Sequence, residues 1–234
     1  MDKGTYGESS EHIYNDWDGL SEATSLPDHA LHRNVDKIVL SAGTTSSSLR
    51  TAIVCPPCIY GQGRGPGNTI SQQLPGLSRC TLKEGHGIYV GAGKTYWTEV
   101  HVQDLSQLYL LLVEAAANGG EPATWGAEGY YYCEARDLLW KDAGEWVAAA
   151  AKKKGWIQSD EVKSCSAEEA NTMTHFGAGL WGANSRARAI RARKLLGWEA
   201  KMPSLKDEVP LTVEIEAKKL GLVPGHAKVA AGDA

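Results

Sequence analysis

The side chains able to move a proton or grip an anion are spread along this chain. Histidine is best placed for proton transfer near neutral pH. Of the seven histidines, His101 stands out, in the strand-like run Val100-His-Val102 just before Asp104, an expected helix cap. It reads either as an acid/base or as a strand residue bonded to a neighbour. Tyr60 offers a second proton donor and Lys37 a positive charge, while Trp97, like Trp125, Trp181 and Tyr130 to Tyr132, suits a core or a pocket wall. Asn184-Ser185-Arg186 reads as a helix start, where backbone N–H groups and a guanidinium can together hold a carboxylate. Arg188, Arg191 and Arg193 beyond it fall around a helix as a solvated basic face.

The glycines of Gly61-x-Gly63-x-Gly65-x-Gly67 do not keep the G-x-G-x-x-G spacing, and no Gly-Lys-Ser/Thr follows them. They predict a loop passing close to a substrate or a neighbouring element. A redox Cys-x-x-Cys places its first cysteine at a helix N-terminus. Cys55-Pro-Pro-Cys58 instead follows an apolar run and reads as structural. No His-x-x-x-His or Cys/His cluster at zinc spacing occurs, so no metal is expected.

The bulk properties narrow the partners. With 24 basic and 28 acidic residues the net charge is −4, which gives no reason to expect nucleic acid or anionic lipid. No apolar run approaches the ~20 residues of a membrane span. Five scattered cysteines fit a reducing compartment, so a cytoplasmic protein acting on a small molecule is expected.

Residues 1 to 27 are polar and read as a surface segment. Leu31, Val35, Ile38, Val39 and Ala42 then recur at helical spacing between a cap at Asp28 and Gly43. Arg50 to Cys55 is a buried parallel strand that stops at a double proline. A polar helix over 68–84 follows, then strands at Gly87 to Val90 and Trp97 to Val102. Leu105 to Ala117 is a helix capped by Asp104, with Leu105, Leu108, Tyr109, Leu112 and Val113 on one face. After a strand at Gly129 to Cys133, helices predominate: Leu138 to Lys154, Ala167 to Met173, Ser185 to Leu196 and Leu205 to Leu220, with a strand at Val162 to Cys165. The pattern predicts an α/β fold, a parallel sheet flanked by helices over 28–135, with a helix-rich lobe over 136–224 and a flexible tail over 225–234.

Taken in order, Asp36-Lys37, Pro56-Pro-Cys-Ile-Tyr-Gly61, Trp97-Thr-Glu-Val-His-Val-Gln-Asp-Leu105, Gly129-Tyr-Tyr-Tyr, Asn184-Ser-Arg186 and Leu195-Leu-Gly-Trp198 resemble the later part of the NAD-dependent epimerase/dehydratase (extended short-chain dehydrogenase) family, especially its fungal members. The resemblance implies a Rossmann-like sheet, Tyr60-Gly61 bordering the nicotinamide and substrate, and Asn184-Ser-Arg186 holding the distal part of a substrate. It matches Lys37 to the lysine of the family's Tyr-x-x-x-Lys pair, but Arg33 occupies the tyrosine position. Arginine stays protonated and cannot serve as that base.

The family opens with a strand, a glycine-rich turn and a helix, and no such unit precedes Tyr14. The resemblance therefore implies a truncated sheet, short by on the order of a hundred residues. The strand at Ile53 would have an open side that self-association would cover. Three functions follow. One is a cofactor-independent isomerisation, dehydration or cyclisation of a fungal secondary metabolite, with Tyr60, His101 and Lys37 catalytic and Trp97, Arg186, Asn184, Ser185 and Gly61 on the substrate. Another is an NAD(P)-dependent epimerase/dehydratase-type oxidoreductase whose nucleotide-binding half is missing or supplied by another chain, and the third is a non-catalytic binding or scaffold protein.

Overall fold

The computed structural model describes residues 4–45 and 48–223; the expected tail over 225–234 lies outside them. In chain order the elements are β1 (Tyr14–Asn15), α1 (Leu20–Thr24), α2 (Arg33–Thr45), β2 (Ile53–Cys55), β3 (Cys58–Tyr60), α3 (Gln73–Glu84), β4 (Gly87–Val90), β5 (Tyr96–His101), α4 (Val102–Ala117), β6 (Tyr130–Tyr132), β7 (Arg136–Leu139), α5 (Trp140–Lys153), β8 (Val162–Cys165), α6 (Ala167–Met173), α7 (Gly177–Gly182), β9 (Ala187–Arg188), α8 (Ile190–Leu196) and α9 (Leu205–Lys219). Short parallel sheets are flanked by helices, as an α/β chain requires. β2 runs parallel to β6, with Ile53 opposite Tyr130. β5 is central to a second sheet, parallel to β3 on one side and antiparallel to β7 on the other. β4 pairs with β8, and β1 with β9, both parallel.

Several expectations are corrected by local chemistry. Pro56 and Pro57 have no N–H to donate, so they break the ladder, yet the strand resumes beyond them as β3. The surface segment over 1–27 contains β1 and α1, and its Asp16 and Ala23 are fully buried. α2 starts at Arg33, because His32 sits in the left-handed region at φ 64°. Asp28, the expected cap, instead forms an ion pair with Lys37 at 2.9 Å. No residue of α2 is buried, and Leu31, Val35 and Ile38 are exposed.

α3 begins at Gln73, which puts Pro75 in the first turn, where its missing N–H has no intrahelical partner to lose. Its polar composition is misleading, since most of its residues are buried. Ser78 bonds within the helix to Leu74 O, and Gln73 Nε2 donates to Leu180 O. On α4, Leu105, Leu108 and Leu112 are buried, whereas Tyr109 and Val113, expected on the same face, are exposed. The segment at Ser185 is extended, because Ala187–Arg188 is drawn into pairing with β1, and helix α8 begins only at Ile190.

The apolar residues form two clusters. One packs α3, α5 and α9 around Tyr60, Leu77, Trp97, Trp140 and Trp181. The other gathers Val100, Leu108, Tyr131, Cys133, Ala192 and Trp198. All five cysteines are free. Among the described residues no helix is long and apolar enough to cross a membrane.

A buried ion pair ties α3 to α9. Glu216 is fully buried, accepts from Arg79 Nε at 3.0 Å, and is paired with Lys219. Removing the carboxylate costs its charge-assisted bonds, while Arg79 and Lys219, 45% and 44% exposed, stay hydrated. Glu216→Ala is therefore expected to cost about 2 kcal/mol in urea unfolding.

Candidate functional site

The site grows from the junction of β5 and α4. His101 ends the strand and is also the N-cap of the helix: its Nδ1 accepts from Gln103 N at 3.1 Å. Asp104, the expected cap, lies inside the helix and is buried. Its carboxylate takes the N–H groups of Lys201 and Met202 at 3.0 and 3.1 Å, which fixes the segment leading to α9. With Nδ1 acting as acceptor, the neutral ring carries its proton on Nε2. Burial holds the imidazole below its usual pKa, against the pull of the Glu208 and Asp104 carboxylates, while Arg64 pushes the same way as burial.

The pair Tyr60–His101 is set by strand register, and the two rings meet edge to face at 5.2 Å. Tyr60 is fully buried, and its hydroxyl donates to Pro203 O at 2.8 Å. Burial, with the Glu99 carboxylate nearby, pushes that hydroxyl far above the usual tyrosine range. The residue packs edge-on against the histidine ring, with its hydroxyl engaged by Pro203 O. Gly61 follows at φ 82°, a left-handed conformation suited to glycine, and a Cβ there would stand 2.2 Å from His101 Nε2.

His101 lines a cavity of about 380 Å³ with Gln62, Arg64, Gln103, Met202 and Glu208. Gly61 and Ile70 are shared by two further cavities of about 340 and 250 Å³, on either side of the 61–72 loop. A broader hollow of about 600 Å³ also reaches Arg64, Gln103 and Met202. The glycine loop is thus a strap between cavities, tied down by Gln103 Nε2 to Gln62 O at 3.1 Å and by Gly63 N to Thr69 O at 2.9 Å. Its Gly63 N–H is spent on Thr69 O, and residues 68–72 separate the glycines from α3, so the strap does not open directly onto a helix as a dinucleotide-binding glycine turn does.

The other expected site residues are not gathered at His101. Trp97 donates Nε1 to Ala183 O at 2.7 Å and stacks edge-on with Trp140. Asn184 accepts from Tyr96 N at 2.9 Å and donates to Glu8 O at 2.8 Å. Ser185 bridges backbone to Tyr96 and Thr98. Arg186 pairs with Asp137 at 3.1 Å and lies over the Tyr96 ring. These contacts fasten the 183–188 segment to β5 and β7. Lys37 is on the exposed face of α2, held by Asp28. Arg33 is half-buried, with Nε and Nη1 unpartnered.

Sequence reasoning missed Arg64, Gln103, Glu208 and Glu99. Gln103 and Glu99 lie inside the Trp97–Leu105 run without standing out in it, Arg64 is an unremarkable member of the glycine run, and Arg64, Gln103 and Glu208 meet only in three dimensions. Glu99 is 4% exposed, accepts from Leu205 N at 3.3 Å and lies 3.9 Å from Arg136. Burial pushes its carboxyl up to about 7, which that N–H and the guanidinium only partly oppose. Its folded pKa is therefore above the unfolded value of about 4.3. The stabilisation it supports is complete below the unfolded pKa and is lost as pH rises through about 7. The loss is on the order of 3 kcal/mol. The melting temperature of the native chain is expected to fall between pH 5 and pH 8, and that of Glu99→Gln to stay level; equal falls would clear Glu99 of the effect.

The architecture matches known enzymes. UDP-glucose 4-epimerase of Thermotoga maritima, solved with UDP-glucose, superposes with a TM-score of 0.55 at 15% identity, over 94% of this chain and 62% of that one. DesIV, a dTDP-glucose 4,6-dehydratase of Streptomyces venezuelae solved with NAD, gives 0.58 at 15% identity, over 93% and 58%. The chain has the epimerase/dehydratase fold. RMD of Pseudomonas aeruginosa, solved with NADPH, shares this epimerase/dehydratase-type architecture at a TM-score of 0.55 and 14% identity, over 94% of this chain and 65% of that one. In sequence, the chain is 34% identical over 225 residues to a protein named oxidase ucsJ of Acremonium, and spans 93% of its own length and 65% of that relative. It thus covers less than two thirds of these proteins. No model of a known protein family matches it.

Proposed function

We propose that the chain acts on a small molecule in the groove around His101 and performs a non-redox step, isomerisation, dehydration or cyclisation, by proton transfer. The observation that carries this reading is His101 itself, a neutral imidazole fixed by its helix-capping bond and facing a cavity that also holds a carboxylate and a guanidinium. Two features support a step without hydride. Arg33 stands where the resemblance expects the tyrosine acid/base, and the glycine strap spends its Gly63 N–H internally. The relative named an oxidase comes from a fungus, which is in keeping with a secondary-metabolite substrate.

A second reading, an NAD(P)-dependent oxidoreductase with its nucleotide held outside the described residues, is favoured by the name of that relative and by the fold neighbours solved with NAD or NADPH. Titration with NADH and NADPH, followed by the fluorescence of the eight tryptophans, separates the two. No saturable change is expected; stoichiometric binding would overturn the non-redox reading. The proposal includes a cytoplasmic homo-oligomer, supported by β2, which among the described residues pairs only with β6, and by the exposed apolar residues of α2. A monomer at micromolar concentration in sedimentation would remove that part.

A further inference from the structure

The His101 cavity holds two charged groups of opposite sign, each without a hydrogen-bond or ion-pair partner among the described residues. Arg64 projects from the glycine strap and lines both the 380 Å³ and the 600 Å³ hollows. Glu208, in the first turn of α9, lines the 380 Å³ and 250 Å³ cavities. Other acids of this part of the fold are engaged: Asp104 by two backbone N–H groups, Asp207 by Ser204, Glu216 by Arg79 and Lys219. Neither the Arg64 guanidinium nor the Glu208 carboxylate has a hydrogen bond or ion pair among the described residues. His101 lies between these charges electrostatically, drawn one way by Glu208 and the other by Arg64. The His101 side chain reaches the cavity at its edge, being 4% exposed, and the missing side chain of Gly61 leaves room for its Nε2 beside the strap.

A carboxylate base, a neutral imidazole donating a hydrogen bond and a separate cation are what enolisation of an acidic substrate demands. Resting on the reading above, we propose that this cavity enolises a small oxo acid: Glu208 takes the proton from the carbon beside the carbonyl, His101 Nε2–H bonds the carbonyl oxygen, and Arg64 holds the substrate carboxylate. In the step the C–H bond breaks, its electron pair becomes the new C=C bond, and the carbonyl π pair moves to the oxygen as enolate. The proton rests on the Glu208 carboxylate and returns to the same or another carbon, so no oxidant or reductant is consumed. A neutral donor suits the enolate, because an imidazole of ordinary basicity would be partly protonated and would lose its capping bond.

The test is proton exchange in deuterated water, followed by proton NMR, with 2-oxobutanoate as probe and butanone as its carboxylate-free counterpart. The chain is expected to speed exchange at C3 of 2-oxobutanoate and to leave butanone near the buffer rate. Glu208→Gln, melting as the native chain does, is expected to lose about a hundredfold of that rate. Arg64→Gln should raise KM about tenfold with little change in kcat. Exchange by Glu208→Gln at the native rate, equal exchange of butanone, or no native rate above buffer would each overturn the proposal. The non-redox reading falls separately, on nucleotide binding.

Discussion

Asp16→Ala is expected to lower the unfolding free energy by about 5 kcal/mol. Asp16 is fully buried, and its two carboxylate oxygens take three backbone N–H groups, those of Tyr132 at 2.8 Å, Ile190 at 2.8 Å and Arg191 at 2.9 Å. Its own carbonyl accepts from Arg191 Nε at 2.9 Å. One side chain thus caps the start of α8 and closes the end of β6 from more than a hundred residues away. Burial raises its pKa, against the lowering by those N–H groups, so the ionised form is costly to keep and depends on all three donors. Alanine would leave the donors buried without acceptors, at about 1–3 kcal/mol each, offset in part because no charge need be desolvated. A side-chain amide keeps one acceptor oxygen, so Asp16→Asn should lose about half as much. Denaturant unfolding would measure both. A loss below about 1 kcal/mol for alanine would mean that β1 and α1 are not anchored through this residue.

Gly61→Ala should cost about 4 kcal/mol and disturb the His101 groove together with the fold. The φ of 82° is unfavourable for any L side chain, and the added carbon would meet three atoms of the imidazole at 2.2 to 2.7 Å. The ring cannot retreat, because Tyr60 is stacked against it and its Nδ1 holds the first turn of α4. Overpacking and left-handed strain therefore add. Gly65→Ala in the same strap meets nothing within 4 Å and should leave stability almost unchanged. Parallel melting curves of the two variants would decide the matter, and equal melting temperatures would show that the ring is free to move.

The features legible in the sequence were those with short-range causes. β4, β5, β8, α5, α6 and α9 follow from apolar periodicity and local propensity, and the structure adds reciprocal capping boxes at Ser166 and Ser204 to the starts of α6 and α9. What was hidden depends on distant partners. The 14–15 segment is a strand only because 187–188 is extended beside it, and neither has a β-rich composition. Asp104 has the spacing of a cap, but its carboxylate is claimed by residues nearly a hundred positions on, so the cap falls to His101. At the site, His101 and Gly61 could be singled out because histidine and glycine runs are conspicuous. Glu208 and Arg64 could not, since a glutamate in a first helical turn and an arginine among glycines each have an ordinary surface explanation. Trp97, Asn184 and Arg186 were conspicuous for a different reason: their polar atoms fasten one stretch of backbone to another.

The two apolar clusters also govern how this chain can fold as it is made. One needs Tyr60 and Leu77 together with Val209 and Val213; the other needs Val100 and Leu108 together with Ala192 and Trp198. Neither can close without residues beyond position 190. β5 contributes Trp97 to one cluster and Val100 to the other, which couples their formation. Such long-range closure is slow and leaves apolar strands uncovered during synthesis. Because β5 serves both clusters, the two cores should melt as one cooperative unit.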